Sequence, residues 1–457
     1  MQQTNTLKLK PEQIKTDADS LKYYGKDWTT YFDIKAGAIL FPESTADVVE
    51  VVTWARTNKI ALVPSGGRTG LSGGACATAH EVIVSFEKMN RILSYNPTDS
   101  TVLLEPGVIT EALQEFAREK SLYYPVDFAA RGSSQIGGNI ATNAGGIKVV
   151  RYGLTRDWIM GLEVVTGNGE VLNLNNGLVK NATGLDLRHL FIGSEGILGF
   201  ITKATVKLAP PPPPLKVLVF ALTQLADVMK VFAEFKNNCA LQAYEMFSEK
   251  ALKHVLHSTG LSRPFETVSD FYVVCEVECS TAEAEEKIMD TFSRCLENSW
   301  ISDGVISQSE VQAKTFWRYR EDISESLSAF SPYKNDVAVA ISKVPDFMTD
   351  LDAVLSKAYP DWEVVWFGHI GDGNLHINIL RPDGMAKEVF VQECRKVDEL
   401  VFQAVQKQSG SISAEHGVGL TKKSFLHYTR SKEEIALMAQ IKKVFDPDGI
   451  MNPGKVL

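Results

Sequence analysis

Five consecutive prolines at residues 210–214 constrain the fold of this 457-residue chain more than any other segment. Proline has no backbone N–H and a fixed φ, so such a run cannot enter a helix or the middle of a sheet and forms a stiff, extended linker. Domains usually hold roughly 100 to 200 residues. We therefore predict a first domain at 1–209 and the linker at 210–214, followed by a second domain at 215–415 and a C-terminal segment at 416–457.

Short strands and helices alternate before the linker. Apolar runs predict strands at 60–63, 82–86, 91–95 and 102–105, and a helix is expected to start at a cap formed by Ser44 and Asp47. After the linker, longer amphipathic helices alternate with strands such as 271–276. This mixture of strands and helices indicates the α+β class in both domains.

Charge and cysteine usage exclude several classes of protein. A net charge of −9 opposes binding to nucleic acid, which needs clustered Lys and Arg. No segment approaches about 18 apolar residues, and the first residues lack the apolar run of a signal peptide, so we expect a cytoplasmic protein without a membrane span. The six cysteines form no CxxC pair, so we expect free thiols and no second redox centre.

Two glycine-rich stretches, at 64–74 and 132–146, are the first candidates for a site. Their glycines leave backbone N–H groups uncovered by side chains, as a pyrophosphate requires. The first stretch fits neither the P-loop pattern nor a Rossmann fingerprint, which disfavours an ATP or nicotinamide site. One such loop is more often a simple tight turn, whereas two loops this dense could hold the two ends of one extended cofactor.

A second candidate site involves histidines in GHIGDGNLHINI and a carboxylate in AEHGVG. His376 and Asn378 alternate with apolar residues and so share one face of a predicted strand. With His369 and Glu415, His376 would form a metal site of two imidazoles and one carboxylate, with positions left open for catalysis. From the residues alone, histidines satisfied within the core or on the surface are about as good an explanation.

A third candidate lies in WRYREDISESL. Phe316, Tyr319, Ile323 and Leu327 recur at helical spacing and predict a buried stripe, with Arg320 and Ser324 at its border. These two residues, with Lys334 beyond them, would suit a substrate carboxylate. A solvated helix edge is an equally good interpretation of the spacing.

The two glycine stretches and GSEGILG at 193–199 together resemble the FAD-binding domain of the vanillyl-alcohol oxidase superfamily, and the resemblance covers nearly the whole chain. It implies a two-part FAD-binding domain, a substrate (cap) domain and a C-terminal segment that packs back at the flavin. The first loop has no histidine to attach the flavin, so non-covalent FAD is implied. The cofactor-binding candidates are Pro64, Ser65, Gly66, Gly67, Arg68, Thr69, Gly70, Ser72, Pro125, Gly132, Ser133, Ser134, Gly138, Asn139, Asn143, Gly145, Ile201 and, near the C terminus, Asn452.

The histidine motifs resemble those of D-2-hydroxyacid dehydrogenases, the branch that acts on D-2-hydroxyglutarate, D-lactate or glycolate. The resemblance implies that His369, His376 and Glu415 bind Zn²⁺ or a similar ion and that His416 is the catalytic base. Arg320, Ser324, Lys334, Asn378 and His416 are the substrate-binding candidates. In the D-2-hydroxyglutarate branch, arginine, threonine and lysine at the positions of Arg320, Ser324 and Lys334 contact the substrate, and the D-lactate branch differs there. Ser324 departs from the threonine but keeps its hydroxyl, so D-2-hydroxyglutarate is our first choice of substrate.

Other functions remain open at this stage. D-lactate or glycolate could be the substrate instead, and a flavin reductase that uses a nicotinamide would leave the histidine cluster without a role. A non-enzymatic electron-transfer subunit would bind FAD but no metal. Because no second redox centre is predicted, electrons would pass to an electron-transfer flavoprotein, a quinone or a cytochrome; a homodimer is an alternative to a monomer.

Overall fold

The computed structural model describes residues 6–29 and 31–457 of the protein. The strands within these residues are β1 Ile14–Lys15, β2 Ala38–Leu40, β3 Leu62–Ser65, β4 Val82–Ser85, β5 Ile92–Asn96, β6 Thr101–Leu104, β7 Ile159–Thr166, β8 Val171–Leu174, β9 Gly199–Lys207, β10 Leu215–Leu222, β11 Leu241–Ser248, β12 Phe271–Glu278, β13 Asp303–Ile306, β14 Tyr333–Ala338, β15 Val364–Gly368 and β16 Asn374–Ile379. The four strands predicted before the linker correspond to β3, β4, β5 and β6, with ends that differ by one or two residues.

The α-helices are α1 Ala18–Tyr24, α2 Thr45–Asn58, α3 Thr110–Glu119, α4 Ile136–Thr142, α5 Val149–Tyr152, α6 Arg188–Phe191, α7 Leu225–Asn238, α8 Glu249–Thr259, α9 Ala282–Glu297, α10 Glu310–Glu321, α11 Ile323–Ser326, α12 Val344–Ala358, α13 Lys387–Lys407 and α14 Lys432–Phe445. Short 3₁₀ helices lie at Pro11–Gln13, Thr155–Trp158, Ser328–Phe330, Ile341–Lys343 and Lys423–Tyr428. Among these helices, none is long and apolar enough to cross a membrane.

The chain divides into two compact units. Unit 1 contains Met1–Gly145, Gly153–Pro211 and Glu415–Leu457, and unit 2 contains Gly146–Tyr152 and Pro212–Ala414. The change from unit 1 to unit 2 between Pro211 and Pro212 lies inside the proline run. Both units mix helices with sheets, so the predicted α+β class is confirmed.

Unit 1 contains two sheets. The first has the order β1-β2-β4-β3, in which β2, β4 and β3 run parallel and β1 is antiparallel. The second has the order β5-β6-β9-β7-β8 and is antiparallel throughout. Helix α2 starts as predicted, because the Ser44 side chain accepts a hydrogen bond from the Asp47 N–H. Its apolar side packs on the first sheet and on β7 and β9, and this packing forms the core of unit 1.

Unit 2 is built on one antiparallel sheet with the order β13-β10-β12-β11-β15-β16-β14. One face of this sheet packs under α8, α10 and α11, with Phe316, Tyr319, Ile323 and Leu327 buried as predicted. The predicted helix is interrupted at Asp322, which ends α10 and precedes α11. Arg320 therefore lies at the end of α10 and is 6% exposed, rather than at a solvated border.

A short excursion of the chain, Gly146–Tyr152, belongs to unit 2 although its neighbours on both sides belong to unit 1. Lys148 is buried there and pairs with Glu276 of β12. The Trp317 indole N–H donates to the other oxygen of Glu276 at 2.9 Å, and the Lys148 ammonium lies 5.0 Å from the Trp317 ring. Such a pair fixes the segment, since a buried charge without its partner is costly.

The last residues of the chain are joined to the parallel sheet of unit 1. Met451 pairs with Leu62 of β3, and Lys455 forms a buried ion pair with Glu81 at 3.1 Å. The turn after α14 is held by Asp446, which is 1% exposed. Its carboxylate accepts hydrogen bonds from the N–H groups of Ile450 and Met451, both at 3.0 Å, and from Lys442 at 2.7 Å.

We predict that Asp446→Ala destabilises unit 1 by about 3 kcal/mol, because it leaves two buried N–H groups without their acceptor and takes the charged partner from the partly buried Lys442 ammonium, which keeps two carbonyl acceptors. Asp448→Ala is the matched control, since Asp448 lies two residues further on in an exposed ion pair with Arg56 and should cost less than about 1 kcal/mol. Urea unfolding followed by circular dichroism measures both. Equal shifts in the two midpoints would contradict the role given to Asp446.

Candidate functional site

The two glycine-rich loops of unit 1 pack backbone against backbone. A Cβ on Gly67 would lie 2.1 Å from the Ser133 carbonyl oxygen and 2.8 Å from the Ser134 Cα, so this position tolerates only glycine. Gly138 differs, because a Cβ there would meet nothing within 4 Å. One glycine is therefore needed for the loops to meet, and the other opens onto empty space.

That space is a cleft of about 980 Å³, a volume that includes open solvent. Among its lining residues are the predicted cofactor-binding residues Pro64, Gly66, Gly67, Arg68, Thr69, Gly70, Ser72, Gly138, Asn139 and Ile201. Its other lining residues are Asp27, Gly74, Ala75, Phe86, Pro106, Gln135, Gly137, Ala141, Thr142, Ser194, Glu195, Gly196, Gly199 and Phe200. Both glycine loops and the 193–199 stretch thus contribute to one cleft.

The remaining predicted cofactor residues lie outside the lining of this cleft. Ser65 and Ser134 are buried, and the Ser134 hydroxyl bonds to that of Thr110 at 2.7 Å. The Asn143 side chain accepts a hydrogen bond from the Arg156 N–H, so it stabilises the end of α4. Pro125 and Gly145 are buried, whereas Gly132 and Ser133 are exposed. Asn452 donates to the carbonyls of Gly74 at 3.0 Å and Glu195 at 2.8 Å, so it joins two walls of the cleft.

The cleft suits an extended dinucleotide. Its walls are mostly glycine backbone and small side chains, which allow close approach of phosphate oxygens to N–H groups. The Arg68 guanidinium is held 4.5 Å from the Tyr23 ring and 4.7 Å from the Tyr24 ring, which keeps one positive charge at the first loop. The Gln135 side-chain oxygen is buried beside the cleft and has no hydrogen-bond partner among residues 6–29 and 31–457. A ligand that donates a hydrogen bond would satisfy it.

Glu195 connects the cleft to the loop that follows His416. Its carboxylate accepts hydrogen bonds from the N–H groups of Val418 at 2.7 Å and Gly419 at 2.9 Å. A Cβ on Gly417, which has φ of 82°, would meet this carboxylate at 2.9 Å. Burial raises the pKa of Glu195 to about 7, although the two N–H groups favour its charged form. The loop bearing His416 is therefore fixed to a wall of the cleft within unit 1.

In unit 2, the register between β14 and β16 places several polar side chains on the same face of the sheet. Lys334 is opposite Asn378 and Asp336 is opposite His376 across β14 and β16. Residues directly opposite in an antiparallel pair point to the same face, and so do residues two apart along a strand. These four side chains therefore share the face that also carries Phe367, whose ring centroid lies 5.0 Å from that of His376.

The two predicted metal-binding histidines lie together on this face. The ring centroids of His369 and His376 are 5.2 Å apart, and both residues are largely buried. His369 Nδ1 lies 2.9 Å from Glu245, and His376 Nδ1 lies 3.6 Å from Asp336. Metal-binding histidines commonly direct one ring nitrogen to a carboxylate, as His369 does here, which makes Nε2 the ligand. The 3.6 Å at His376 is an ion-pair distance and is too long for a hydrogen bond. The donor set fits a divalent ion.

Arg320 reaches the same face from the end of α10. Its Nε lies 2.9 Å from the second oxygen of Glu245, and its guanidinium lies 4.8 Å from the centroid of the Phe367 ring. Arg320 Nη2 and Asn378 Oδ1 are buried without hydrogen-bond partners among the residues that the structure describes. Buried polar atoms are rarely left unpaired, so each indicates a place for a ligand.

Lys334 is half-buried and forms no ion pair with any described residue, and burial lowers the pKa of its ammonium group. Ser324 is exposed on α11, four residues after Arg320. The sequence had placed Arg320 and Ser324 side by side, but the structure has one of them buried and the other in solvent.

Glu415 and His416 belong to unit 1, with 3.8 Å between the Glu415 carboxylate and the His416 Nε2 atom. The chain that leads to them runs in unit 2 beside β14, where Ser411 pairs with Ala338. The Ala414 N–H, one residue before Glu415, donates to Asp336 at 3.1 Å. That Glu415 completes the metal site and that His416 is the base stay predictions from the sequence.

Two acidic residues of this site were not predicted. Glu245 is the sole charged residue in the otherwise uncharged stretch LQAYEMFS, and a charge in the middle of a buried strand needs a partner. Asp336 follows Lys334 by two residues and so shares its face. Either pattern could have identified its residue.

Two family models match the chain. The model described as FAD linked oxidases, C-terminal domain, matches residues 211–456, and the model described as FAD binding domain matches residues 36–175. The matches together cover both glycine-rich loops, the histidine motifs and the C-terminal segment. The FAD that the resemblance implied is therefore supported by the family assignment.

Similar proteins are found at full length. A D-2-hydroxyglutarate dehydrogenase of Stutzerimonas stutzeri (strain A1501) is 54% identical over 448 residues, which cover 98% of this chain and 97% of that protein. A D-2-hydroxyglutarate dehydrogenase of Xanthomonas citri pv. viticola is 52% identical over 444 residues, which cover 97% and 94%.

Among solved structures, p-cresol methylhydroxylase with substrate bound matches with a TM-score of 0.78 at 16% identity, covering 100% of this chain and 95% of that one. This match concerns the fold, and it confirms the predicted vanillyl-alcohol oxidase type of architecture. With a family model over more than half of its length and relatives above 50% identity, the chain belongs to the family of FAD-linked oxidases and is an FAD-dependent oxidoreductase.

Proposed function

We propose that the protein oxidises D-2-hydroxyglutarate to the corresponding 2-oxo acid, with FAD as the hydride acceptor and a divalent metal ion, Zn²⁺ as first choice, at the substrate. Both bacterial relatives carry the name D-2-hydroxyglutarate dehydrogenase. One observation carries the choice of a dicarboxylic acid: the Nη2 atom of the buried Arg320 has no hydrogen-bond partner within residues 6–29 and 31–457, and it lies on the face that also bears the proposed metal-binding histidines.

Two cations on this face suit the carboxylate at the far end of the substrate. Arg320 is fixed through its Nε atom by Glu245, so its Nη2 can be directed at an acceptor. Lys334 has no competing ion pair among the described residues, and its lowered pKa means that a bound carboxylate would stabilise its charged form. Ser324 stays a substrate-binding candidate from the sequence alone, since it is exposed on α11.

His369 and His376 would hold the metal through Nε2, with Glu415 as the third ligand predicted from the sequence. When bound, the ion would polarise the 2-hydroxyl and hold the 1-carboxylate, and FAD would accept the hydride at N5. The protein supplies the orientation. Glu245 holds the His369 ring at 2.9 Å, and Asp336 lies 3.6 Å from His376 Nδ1. Asn378 offers a buried oxygen that has no hydrogen-bond partner among the described residues.

His416 takes the proton of the 2-hydroxyl in this proposal. A free imidazole has a pKa of about 6.5, so a neutral histidine is a chemically suitable base at physiological pH. The hydrogen bonds between Glu195 and the loop after His416 keep this base in the unit that contains the cofactor cleft.

FAD would be held non-covalently, since no histidine, cysteine or tyrosine occurs among the described residues that line the cleft. Electrons would then pass to an acceptor outside the chain: an electron-transfer flavoprotein, a quinone or a cytochrome. Cytoplasmic location and either a monomer or a homodimer complete the proposal.

Anaerobic bleaching of the flavin across a panel of D- and L-2-hydroxy acids tests the proposal directly. We expect D-2-hydroxyglutarate to bleach the flavin fastest, D-lactate and glycolate to bleach it weakly, and L-isomers to leave it oxidised. Preference for D-lactate or glycolate would favour the monocarboxylate branch instead. No bleaching by any hydroxy acid, with bleaching by NADPH, would reject the proposal.

We predict that Gly138→Leu abolishes FAD binding without destabilising the apoprotein, because its side chain would fill the cleft while leucine suits helix α4. Gly67→Ala, in contrast, should prevent stable folding of unit 1, since its Cβ would overlap the Ser133 carbonyl. Flavin absorbance and thermal unfolding of both variants separate the two effects. Normal flavin content in Gly138→Leu would argue against this cleft as the FAD site.

We predict that Lys334→Met lowers kcat/KM for D-2-hydroxyglutarate by about 10- to 100-fold, the value of a charged hydrogen bond, and leaves D-lactate almost unaffected. Because only the charged ammonium binds the carboxylate, the KM of the unaltered protein should rise as pH rises through the lowered pKa of Lys334, and this rise should be absent in Lys334→Met. The exposed Lys343→Met serves as the control. If kcat/KM fell equally for both substrates, Lys334 would not bind the second carboxylate of D-2-hydroxyglutarate.

We predict that His376→Ala removes the metal and at least about 100-fold of the activity while FAD stays bound, since the cofactor cleft lies in unit 1. Elemental analysis, flavin absorbance and turnover are the measurements. His257→Ala, an exposed histidine of α8, should change none of them. Full turnover by a metal-free His376→Ala protein would contradict the proposal that a metal ion assists the reaction.

A further inference from the structure

Glu245 is the least expected charged residue of unit 2. It lies in the middle of β11, all of whose residues are buried, and it is 2% exposed. An unpaired carboxylate in such a place would strongly destabilise the fold, so Glu245 needs partners among its neighbours. Its two oxygens have different partners, and both partners belong to the proposed active site.

The first oxygen orients a metal ligand. Glu245 Oε1 accepts the hydrogen bond from His369 Nδ1 at 2.9 Å. This fixes the proton on Nδ1 and leaves the Nε2 lone pair as the one that can bind a metal. It also fixes the plane of the ring relative to the sheet.

The second oxygen orients a substrate cation. Glu245 Oε2 lies 2.9 Å from Arg320 Nε, and the guanidinium is further restrained by the Phe367 ring at 4.8 Å. The ion pair at Nε and the ring contact together restrict the directions in which the planar guanidinium can point its Nη atoms. Nη2 has no hydrogen-bond partner among the described residues and stays available for an acceptor.

We propose that Glu245 is the positioning residue that joins recognition of the substrate's second carboxylate to the metal site, by holding Arg320 with one oxygen and His369 with the other. The inference rests on the proposed function. In this arrangement one side chain, Glu245, sets the distance between the metal ligand His369 and Arg320. The two groups that bind the two ends of a dicarboxylic hydroxy acid are therefore positioned by the same residue.

Glu245→Gln tests this, because the amide keeps the size but has no charge and only one oxygen. The partner that faces this oxygen loses its charged acceptor, and the other partner faces an N–H₂ group, so both contacts are weakened. Zn²⁺ titrated into metal-free, FAD-loaded protein should bind about 10- to 100-fold more weakly. The ratio of kcat/KM for D-2-hydroxyglutarate to that for D-lactate should fall at least about 10-fold, while flavin content stays unchanged. Loss of only one of these two properties would overturn the shared role.

Glu249→Gln is the matched control. Glu249 lies four residues further on, pairs with Arg263 and accepts a hydrogen bond from the Tyr272 hydroxyl at 2.9 Å. It has the same kind of arginine partner but lies outside the site, so both Zn²⁺ affinity and substrate ratio should stay within about twofold. If this control lost as much Zn²⁺ affinity and substrate preference as Glu245→Gln, both losses would result from a general loss of stability, and the proposal would be overturned.

A measurement without metal or substrate separates this inference from the proposed function. Nitrogen NMR of the metal-free protein, with the signals assigned through His369→Ala, should show His369 protonated at Nδ1. Glu245→Ala should convert it to a mixture of tautomers. An unchanged tautomer in that variant would overturn the inference, whereas failure of the unaltered protein to bleach with D-2-hydroxyglutarate would count against the proposed function alone.

Discussion

Gly67 lies so close to the Ser133 carbonyl that its missing side chain determines the geometry of the cofactor cleft. Two loops from distant parts of the sequence can meet there because Gly67 has no Cβ to overlap the backbone of Ser133 and Ser134. The other glycines leave backbone N–H groups exposed along the space that this contact encloses. Glu195 and Asn452 then attach the C-terminal part of the chain to the same walls, so the cleft organises all three sequence segments of unit 1.

The polar site of unit 2 depends on a different constraint, the register of an antiparallel sheet. A shift of β14 by one residue against β16 would move Lys334 and Asp336 to the opposite face, away from Asn378 and His376. Apolar residues of the same face are buried under α8, α10 and α11, which holds the register in place. The charged and polar side chains are thus positioned by hydrophobic packing on either side of them, and their pairing with Glu245 and Asp336 refines that position.

Much of this arrangement could be predicted from local patterns in the sequence. The proline run, the glycine loops and the alternation in NLHINI each encode their structure within about ten residues, and the helical stripe from Phe316 to Leu327 is buried as expected. The pairing of Arg320 with Glu245 could not be predicted, because the two residues are 75 positions apart in the sequence (320 minus 245) and are joined only by the sheet. The break at Asp322 could not be predicted either. The apolar residues keep their helical spacing across it, although α10 ends at Glu321 and α11 starts at Ile323.

The excursion at Gly146–Tyr152 has a consequence for how this protein can vary. The chain changes unit at four points, and one of them lies between Gly145 and Gly146, at the end of the second glycine loop. A chimera in which unit 2 is exchanged only from the prolines onward would therefore keep the original Lys148 but lose its partner Glu276 and the neighbouring Trp317. Recombination among homologous genes should preserve these three residues as a set, and a chimera has to inherit the short segment together with the sheet that accommodates it.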